Sequence, residues 1–364
     1  MTILFQLGHP AHYHLFKNTI MQLKEDGHQV YVLIKKKDIL EDLLQAAQMP
    51  YRNILPEGRK SSKIGILWGM FVRLWRVYWF TLFHRVNLLA GSTPEVAQVG
   101  WLLHRKSLVF AEDDAAIVPE FVKLVSPFVN AYLSPITCNN GRIEYKTIHY
   151  AGFHKLAYLH PNRFVANRQV VEKYFDTDTP YFLLRFAQLK AYHDISAHAQ
   201  GITTDIAQQL IDILEPFGRI YITSERELEP QFEKYRLQIN PLDIHHVMAF
   251  ATLYIGDSQS MAVEAAMLGT PSIRFNDFAG KIGVLEELEH KYQLTIGIPS
   301  SQPQQLYDTV KEWLATPNLH ETFQQRRQKM LSEKIDVTAF FTWFIENYPE
   351  SEQILRENPD YQFE

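Results

Sequence analysis

Residues 251–275 constrain the fold more than any other stretch. Ala251-Thr252-Leu253-Tyr254-Ile255 is a short apolar run with the length of a buried strand, and Gly256-Asp257-Ser258 follows as a tight turn. Asp257 and Ser258 are both good N-cap residues, Gln259 to Leu268 reads as a helix rich in small side chains, and Gly269 stops it. A second strand is predicted over Ser272 to Phe275. Strand, turn and helix N-terminus in succession leave several backbone N–H groups aimed at one spot, with the positive end of the helix dipole behind them. That spot suits phosphate. Glu264, a turn or so further on, is placed to accept hydrogen bonds from a ribose. The competing reading is an ordinary βαβ unit whose serines cap a helix, and the spacing alone does not separate the two.

The rest of the chain repeats this alternation. Strands are predicted over Thr2–Leu7, Gln29–Ile34, 51–55, 86–90, 107–111, 129–133 and 147–150, then over 180–186 and 219–223, with helices between them. Alternation of this kind argues for parallel sheets with helices on both faces, whose ligands bind beyond the carboxyl ends of the strands. A length of 364 residues is too great for one ordinary core and suits two domains, 1–160 and 161–335, with a helical tail over 336–364. A net charge of −5, with both signs interspersed, gives no footprint for nucleic acid. The single cysteine, Cys138, excludes an internal disulfide and fits a reducing compartment; no metal-ligand spacing is present, so no metal is expected. The N-terminus lacks a signal peptide's basic region and cleavage site, so the cytoplasm is the expected location.

Several strand ends carry candidate chemistry. His9, His12 and His14 crowd the loop predicted after the first strand, ahead of a helix from Leu15 to Glu25. They are candidates for a general base or for contacts to a sugar or acceptor, and helix capping is the structural alternative. Glu112, Asp113 and Asp114 end the strand at 107–111; a crowded carboxylate with a raised pKa would serve as a base, although one such acid can simply cap a helix. Arg185 and Lys190 are candidates to neutralise a diphosphate leaving group, against the plainer role of surface ion pairs. His245 lies on a helix predicted over 242–250; comparable folds rest a nucleotide's base near such a helix, against a plain structural role for the histidine, and Lys281 is a candidate for a sugar or phosphate. Residues 64–83 are long enough to span a bilayer, but Arg73 and Arg76 would each cost about 3 kcal/mol at its centre. Two readings stay open for this segment: a sheet-packing helix, or a helix lying in the membrane interface with Trp68, Trp75 and Trp79 as anchors.

The pattern Asp257-Ser258, Glu264-Ala265, Leu268-Gly269, Pro271 resembles the nucleotide site of UDP-N-acetylglucosamine 2-epimerase and is similar to other GT-B glycosyltransferases. The resemblance implies an α/β, GT-B fold: two Rossmann-like domains with parallel sheets facing across a cleft, the tail returning to the first domain. It implies Ser258 and Ser260 at a UDP diphosphate, beside Gln259, and Glu264 at the ribose. Where the epimerase has Gly-Gly after the serine, this chain has Gln259-Ser260. Pro10-Ala11-His12-Tyr13-His14 resembles the first loop of several GT-B transferases, which implies His12 as the base. The motifs Arg185-Phe186, Tyr192-His193-Asp194, Thr223 to Glu227, Ile244-His245, Gly256 to Gln259, Gly280-Lys281 and Asn347 to Ser351 resemble domain-of-unknown-function family 354 nearly end to end.

The epimerase's acid and base groups do not carry over. Positions matching its first-loop Arg, Glu and Lys hold His9, Ala11 and His14, and the position of its essential acid after the fourth strand holds Ser92. The resemblance therefore implies sugar transfer from a nucleotide donor, expected to be UDP-linked, to a hydroxyl on a polysaccharide, glycan or lipid carrier, without metal or other cofactor. A UDP-sugar epimerase or hydrolase, and a non-catalytic nucleotide-sugar binder, are the alternatives. A lipid-linked acceptor would place the protein at the inner face of the membrane.

Overall fold

The computed structural model describes residues 1–37, 39–57, 63–187, 201–277 and 279–363. The chain divides into two units, Met1–Arg163 with Lys334–Glu364, and Phe164–Glu333. Each is an α/β unit built on its own parallel sheet.

In the first unit seven strands, β1 (Thr2–Leu7), β2 (Gln29–Ile34), β3 (Arg52–Asn53), β4 (Leu88–Gly91), β5 (Lys106–Phe110), β6 (Ala131–Pro135) and β7 (Thr147–Tyr150), lie in the order β3-β2-β1-β4-β5-β6-β7. Helices cover both faces, which is why β4 and β6 are buried along their whole length and β1 from Ile3 onward. β3 is shorter than the predicted 51–55 because the Asn53 Oδ1 accepts the Leu55 N–H (2.9 Å) and turns the chain away. The first helix starts at Pro10, not Leu15: proline suits the first helical position, and the His9 Nδ1 accepts the Ala11 N–H (3.2 Å) as N-cap. His12 and His14 therefore stand on the helix instead of on a loop.

The C-terminal segment completes this unit. Asp336 caps the Val337–Glu346 helix through the Ala339 N–H (3.1 Å) and pairs with Arg163 (2.9 Å). Thr338 donates to the Ala157 carbonyl (2.6 Å), and the Phe341 ring packs 4.6 Å from that of Phe110. The apolar run 339–344 is thus core, with Phe340, Phe341 and Phe344 buried.

Helix Lys63–Phe83 has two different faces. Val77 and Phe80 are buried, Arg73 pairs with buried Glu95 (2.7 Å), and Arg76 donates to the Ile54 carbonyl (2.6 Å). On the outer side Trp68, Phe71, Trp75, Trp79, Leu82 and Phe83 are exposed and form a continuous stripe, with Trp75 and Trp79 stacked at 6.3 Å and Trp79 and Phe83 at 5.6 Å. Among the described residues no helix is long and apolar enough to cross a membrane.

In the second unit β8 (Tyr181–Phe186), β9 (Arg219–Ser224), β10 (Leu253–Gly256), β11 (Ser272–Phe275) and β12 (Ile296–Ile298) lie in the order β12-β11-β10-β8-β9, all parallel. Phe182, Leu184, Ile255 and Ile273 bury one face of the sheet against Leu210, Leu214, Leu306 and Val310 of the Thr204–Leu214 and Pro303–Ala315 helices. The helix predicted over 242–250 is a 3-10 turn, Pro241–Asp243, followed by the Ile244–Ala249 α-helix.

Candidate nucleotide-sugar site

The order of each sheet marks where a ligand fits. In an open parallel sheet the crevice lies beyond the strand carboxyl ends, where successive connections leave in opposite directions. In the second unit that point falls between β8 and β10, with Arg185 and Phe186 on one side and Gly256, Asp257 and Ser258 on the other. In the first unit it falls between β1 and β4, with Gly8 and His9 on one side and Gly91, Ser92 and Thr93 on the other.

At the second unit's crevice β10 turns directly into the Gln259–Leu268 helix. Ser258 is the N-cap by backbone geometry (φ −84°, ψ 121°), its side chain makes no capping bond, and the first turn carries no acid. Ser258 and Gln259 are half-buried and Ser260 is exposed, so solvent reaches the helix start. Buried Ala262, Ala265 and Ala266 let the helix lie close on the sheet, and Gly269 ends it in the left-handed conformation (φ 72°). Asp257 does not cap this helix. Its carboxylate faces away and accepts the N–H groups of Ala187 (2.6 Å) and Ile202 (3.1 Å), while Asn276 holds its carbonyl (3.0 Å). Burial outweighs these hydrogen bonds and pushes the Asp257 carboxyl up to about 6.

Gly256 is forced by close approach. A Cβ there would lie 2.6 Å from the Tyr254 hydroxyl and 2.8 Å from the Arg185 Cβ, because Arg185 stands opposite it in register. Arg185 donates to the Thr223 Oγ1 (3.2 Å) and is paired with Glu225, so its guanidinium is held at the crevice by an acid that an anion would have to displace or share. Glu264 and His245 come together at 3.3 Å, with His245 buried on the Ile244–Ala249 helix. Lys281 is exposed, just after Gly280 (φ 79°). Lys190 and Tyr192-His193-Asp194 lie outside the described residues.

At the first unit's crevice the His12 Nδ1 accepts the Gly8 N–H (3.0 Å). Burial first, then His9, His154 and Lys35, hold the His12 imidazole well below its ordinary pKa. His9 is exposed, and His14 turns toward Tyr158 with ring centroids 5.2 Å apart. The three acids predicted to crowd one another diverge. Glu112 accepts from the His154 N–H (2.6 Å) and from Lys155 (2.6 Å), Asp114 accepts the Asn139 N–H (2.6 Å), and Asp113 is exposed. Burial pushes the Glu112 carboxyl up, but Lys155 and His154 more than offset it and leave it below its ordinary value. The raised pKa expected of one crowded carboxylate among the three does not arise at Glu112, whose neighbours are cationic or hydrogen-bond donors.

Sequence reasoning missed Lys155 and His154 as partners of Glu112, and the inward turn of Asp257. A carboxylate's need for a counter-charge is readable in Glu112; its partner 43 residues on is not.

No protein-family model and no curated protein matches the chain, so the likeness to family 354 rests on the quoted motifs. Solved structures do match. UDP-GlcNAc 2-epimerase from Neisseria meningitidis, bound to UDP-GlcNAc, superposes with a TM-score of 0.64 at 13% identity, over 92% of this chain and 95% of that one. The Methanocaldococcus jannaschii enzyme, in complex with UDP-GlcNAc and UDP, gives 0.64 at 15% identity over 87% and 93%. A spinosyn forosaminyltransferase gives 0.63 at 12% identity over 92% and 96%. At such identities the likeness establishes the fold: this chain has the GT-B architecture found in both UDP-GlcNAc 2-epimerases and glycosyltransferases.

Proposed function

We propose that the protein is a metal-independent glycosyltransferase that takes a sugar from a UDP-linked donor to a hydroxyl acceptor. The observation that carries this reading is the solvent-reached start of the Gln259–Leu268 helix at the second unit's switch point, uncapped by the Ser258 side chain and free of acids in its first turn. The amides of Ser258, Gln259 and Ser260 would hold the diphosphate, with Arg185 released toward it from Glu225, and Glu264, steadied by His245, would take the ribose. In the transfer step the bond from the sugar's anomeric carbon to the UDP oxygen breaks and its electrons leave on UDP. Fixed amides and a guanidinium then stabilise that charge without a metal. The acceptor oxygen bonds to the same carbon, and its proton passes to one of the groups at the first unit's crevice: His12 or the carboxylates Glu112, Asp113 and Asp114. His9, His14 and Lys281 would contact acceptor or sugar.

The acceptor belongs to surface polysaccharide or glycolipid assembly in this reading, with the protein working in the cytoplasm at the membrane's inner face. Supporting the membrane contact is the exposed aromatic stripe on Lys63–Phe83: tryptophans favour the bilayer interface, and Arg59, Lys60 and Lys63 precede the stripe in sequence.

Incubation with UDP-sugars, with and without glycan or lipid-linked acceptors, tests the reaction. Acceptor-dependent release of UDP is expected. An isomerised UDP-sugar would make the protein an epimerase, acceptor-independent release of sugar a hydrolase, and binding without turnover a nucleotide-sugar binder.

A further inference from the structure

The backbone around His12 settles where its proton sits. A backbone N–H can only donate, so the Gly8 N–H at 3.0 Å requires a lone pair on the His12 Nδ1. A neutral imidazole carries one proton, and with Nδ1 occupied as acceptor that proton is on Nε2. The alternative is the imidazolium, which would put a proton on Nδ1 against the Gly8 N–H. Among the described residues the titratable groups that act on this ring, His9, His154 and Lys35, are imidazoles and an ammonium. The surroundings thus act in the same direction as the hydrogen bond and keep the ring neutral.

The geometry is fixed from several strands at once. Gly8 sits where β1, β2 and β4 end, so that a Cβ on it would lie 3.0 Å from the Thr93 Cγ2 and 3.4 Å from the Lys35 Cε. His12 lies in the first turns of the Pro10–Glu25 helix, whose start is pinned by the His9 cap, so the Gly8-to-His12 contact spans a rigid corner. A general base needs the opposite arrangement, with Nδ1–H held by an acceptor and the Nε2 lone pair turned to the substrate.

We propose that His12 meets the bound substrate as a neutral hydrogen-bond donor through Nε2–H, gripping an oxygen of the sugar or acceptor, and does not take the acceptor's proton. The inference deepens the transferase reading and rests on it for the identity of the substrate, but not for the placement of the proton. A neutral imidazole can polarise an oxygen in this way. The proton of the attacking hydroxyl then falls to the carboxylate run Glu112–Asp114, at the end of the neighbouring strand β5.

Two measurements on the full chain test this. Nitrogen-15 spectra of the histidine rings, with His12 assigned by its loss in His12→Ala, are expected to show the neutral Nε2–H form at pH 6.5, where an ordinary imidazole is about half protonated. An Nδ1–H form or an imidazolium at pH 7 overturns the proposal whether or not the protein transfers sugar. In acceptor-dependent transfer, His12→Gln places an amide N–H near the Nε2 position and is expected to stay within about tenfold of the parent kcat/KM. His12→Ala should lose about 10²–10³-fold, the cost of one positioned donor. If His12→Gln is as impaired as His12→Ala, and both lose the acid limb of the pH profile, His12 is the base and the proposal fails. Absence of transfer by the parent, with the Nε2–H form intact, would remove the transferase reading and leave the donor assignment standing.

Discussion

Replacing Gly256 by alanine probes the crevice of the second unit at its tightest point. The added methyl would lie 2.6 Å from the Tyr254 hydroxyl, 2.8 Å from the Arg185 Cβ and 3.0 Å from the Arg185 carbonyl oxygen. None of these can swing aside cheaply: Tyr254 is fully buried, and the two Arg185 atoms belong to a neighbouring strand held in register. β10 must therefore shift by several tenths of an ångström, at a cost of about 1–3 kcal/mol in stability. The shift carries the Asp257–Ser258 turn with it. Misaligning one charge-assisted amide contact to a diphosphate is worth about 1.5–3 kcal/mol, so UDP should bind roughly 10- to 100-fold more weakly. Urea unfolding and calorimetric titration with UDP measure the two effects. Gly69→Ala is the control, since its methyl finds its nearest neighbour, the Arg73 Nη1, at an ordinary 3.8 Å. A Gly256→Ala protein that unfolds at the parent's urea midpoint and binds UDP equally well would refute the reasoning.

Other perturbations follow from the first unit and the aromatic helix. Lys155→Met leaves Glu112 buried without its counter-charge and should cost about 3–5 kcal/mol, most of it recovered in the Lys155→Met/Glu112→Gln double variant; additive losses would contradict the pairing. Burial holds the His154 imidazole at about 4 against an ordinary 6.5, so the unfolded chain binds its proton first as pH falls. That group therefore lowers stability progressively below about pH 6.5, and His154→Gln should gain about 3 kcal/mol relative to the parent between pH 7 and pH 4; an unchanged difference would sink the assignment. Trp75→Glu and Trp79→Glu should each weaken binding to phosphatidylglycerol vesicles by about tenfold, for roughly 1–2 kcal/mol of apolar burial lost per ring; sedimentation equal to that of the parent would end the membrane proposal.

The strand-and-helix order was legible because buried parallel strands are unbroken apolar runs and the turns between them carry glycine, proline or capping residues. Ser272–Phe275 and Gln259–Leu268 stand where the pattern predicts. β12 escaped because Ile-Gly-Ile is too short to announce itself and is defined by its pairing with β11. The start of the first helix is hidden because proline suits a loop as well as a first helical position, and Pro10 takes the second role. The site was legible as a place but less so as chemistry. Gly256 to Ser260 could be located, yet nothing local distinguishes Ser258, which faces the helix start, from Asp257, which turns inward to the Ala187 and Ile202 amides. Likewise Glu112, Asp113 and Asp114 are neighbours in sequence whose partners, Lys155 and the Asn139 amide, come from distant strands' ends.

A crystal structure of the protein with UDP would show where the nucleotide sits. The diphosphate is expected on the amides of residues 258–260 at the start of the Gln259–Leu268 helix, with the ribose hydroxyls on Glu264. UDP seated on any other surface, with that helix start untouched, would contradict it.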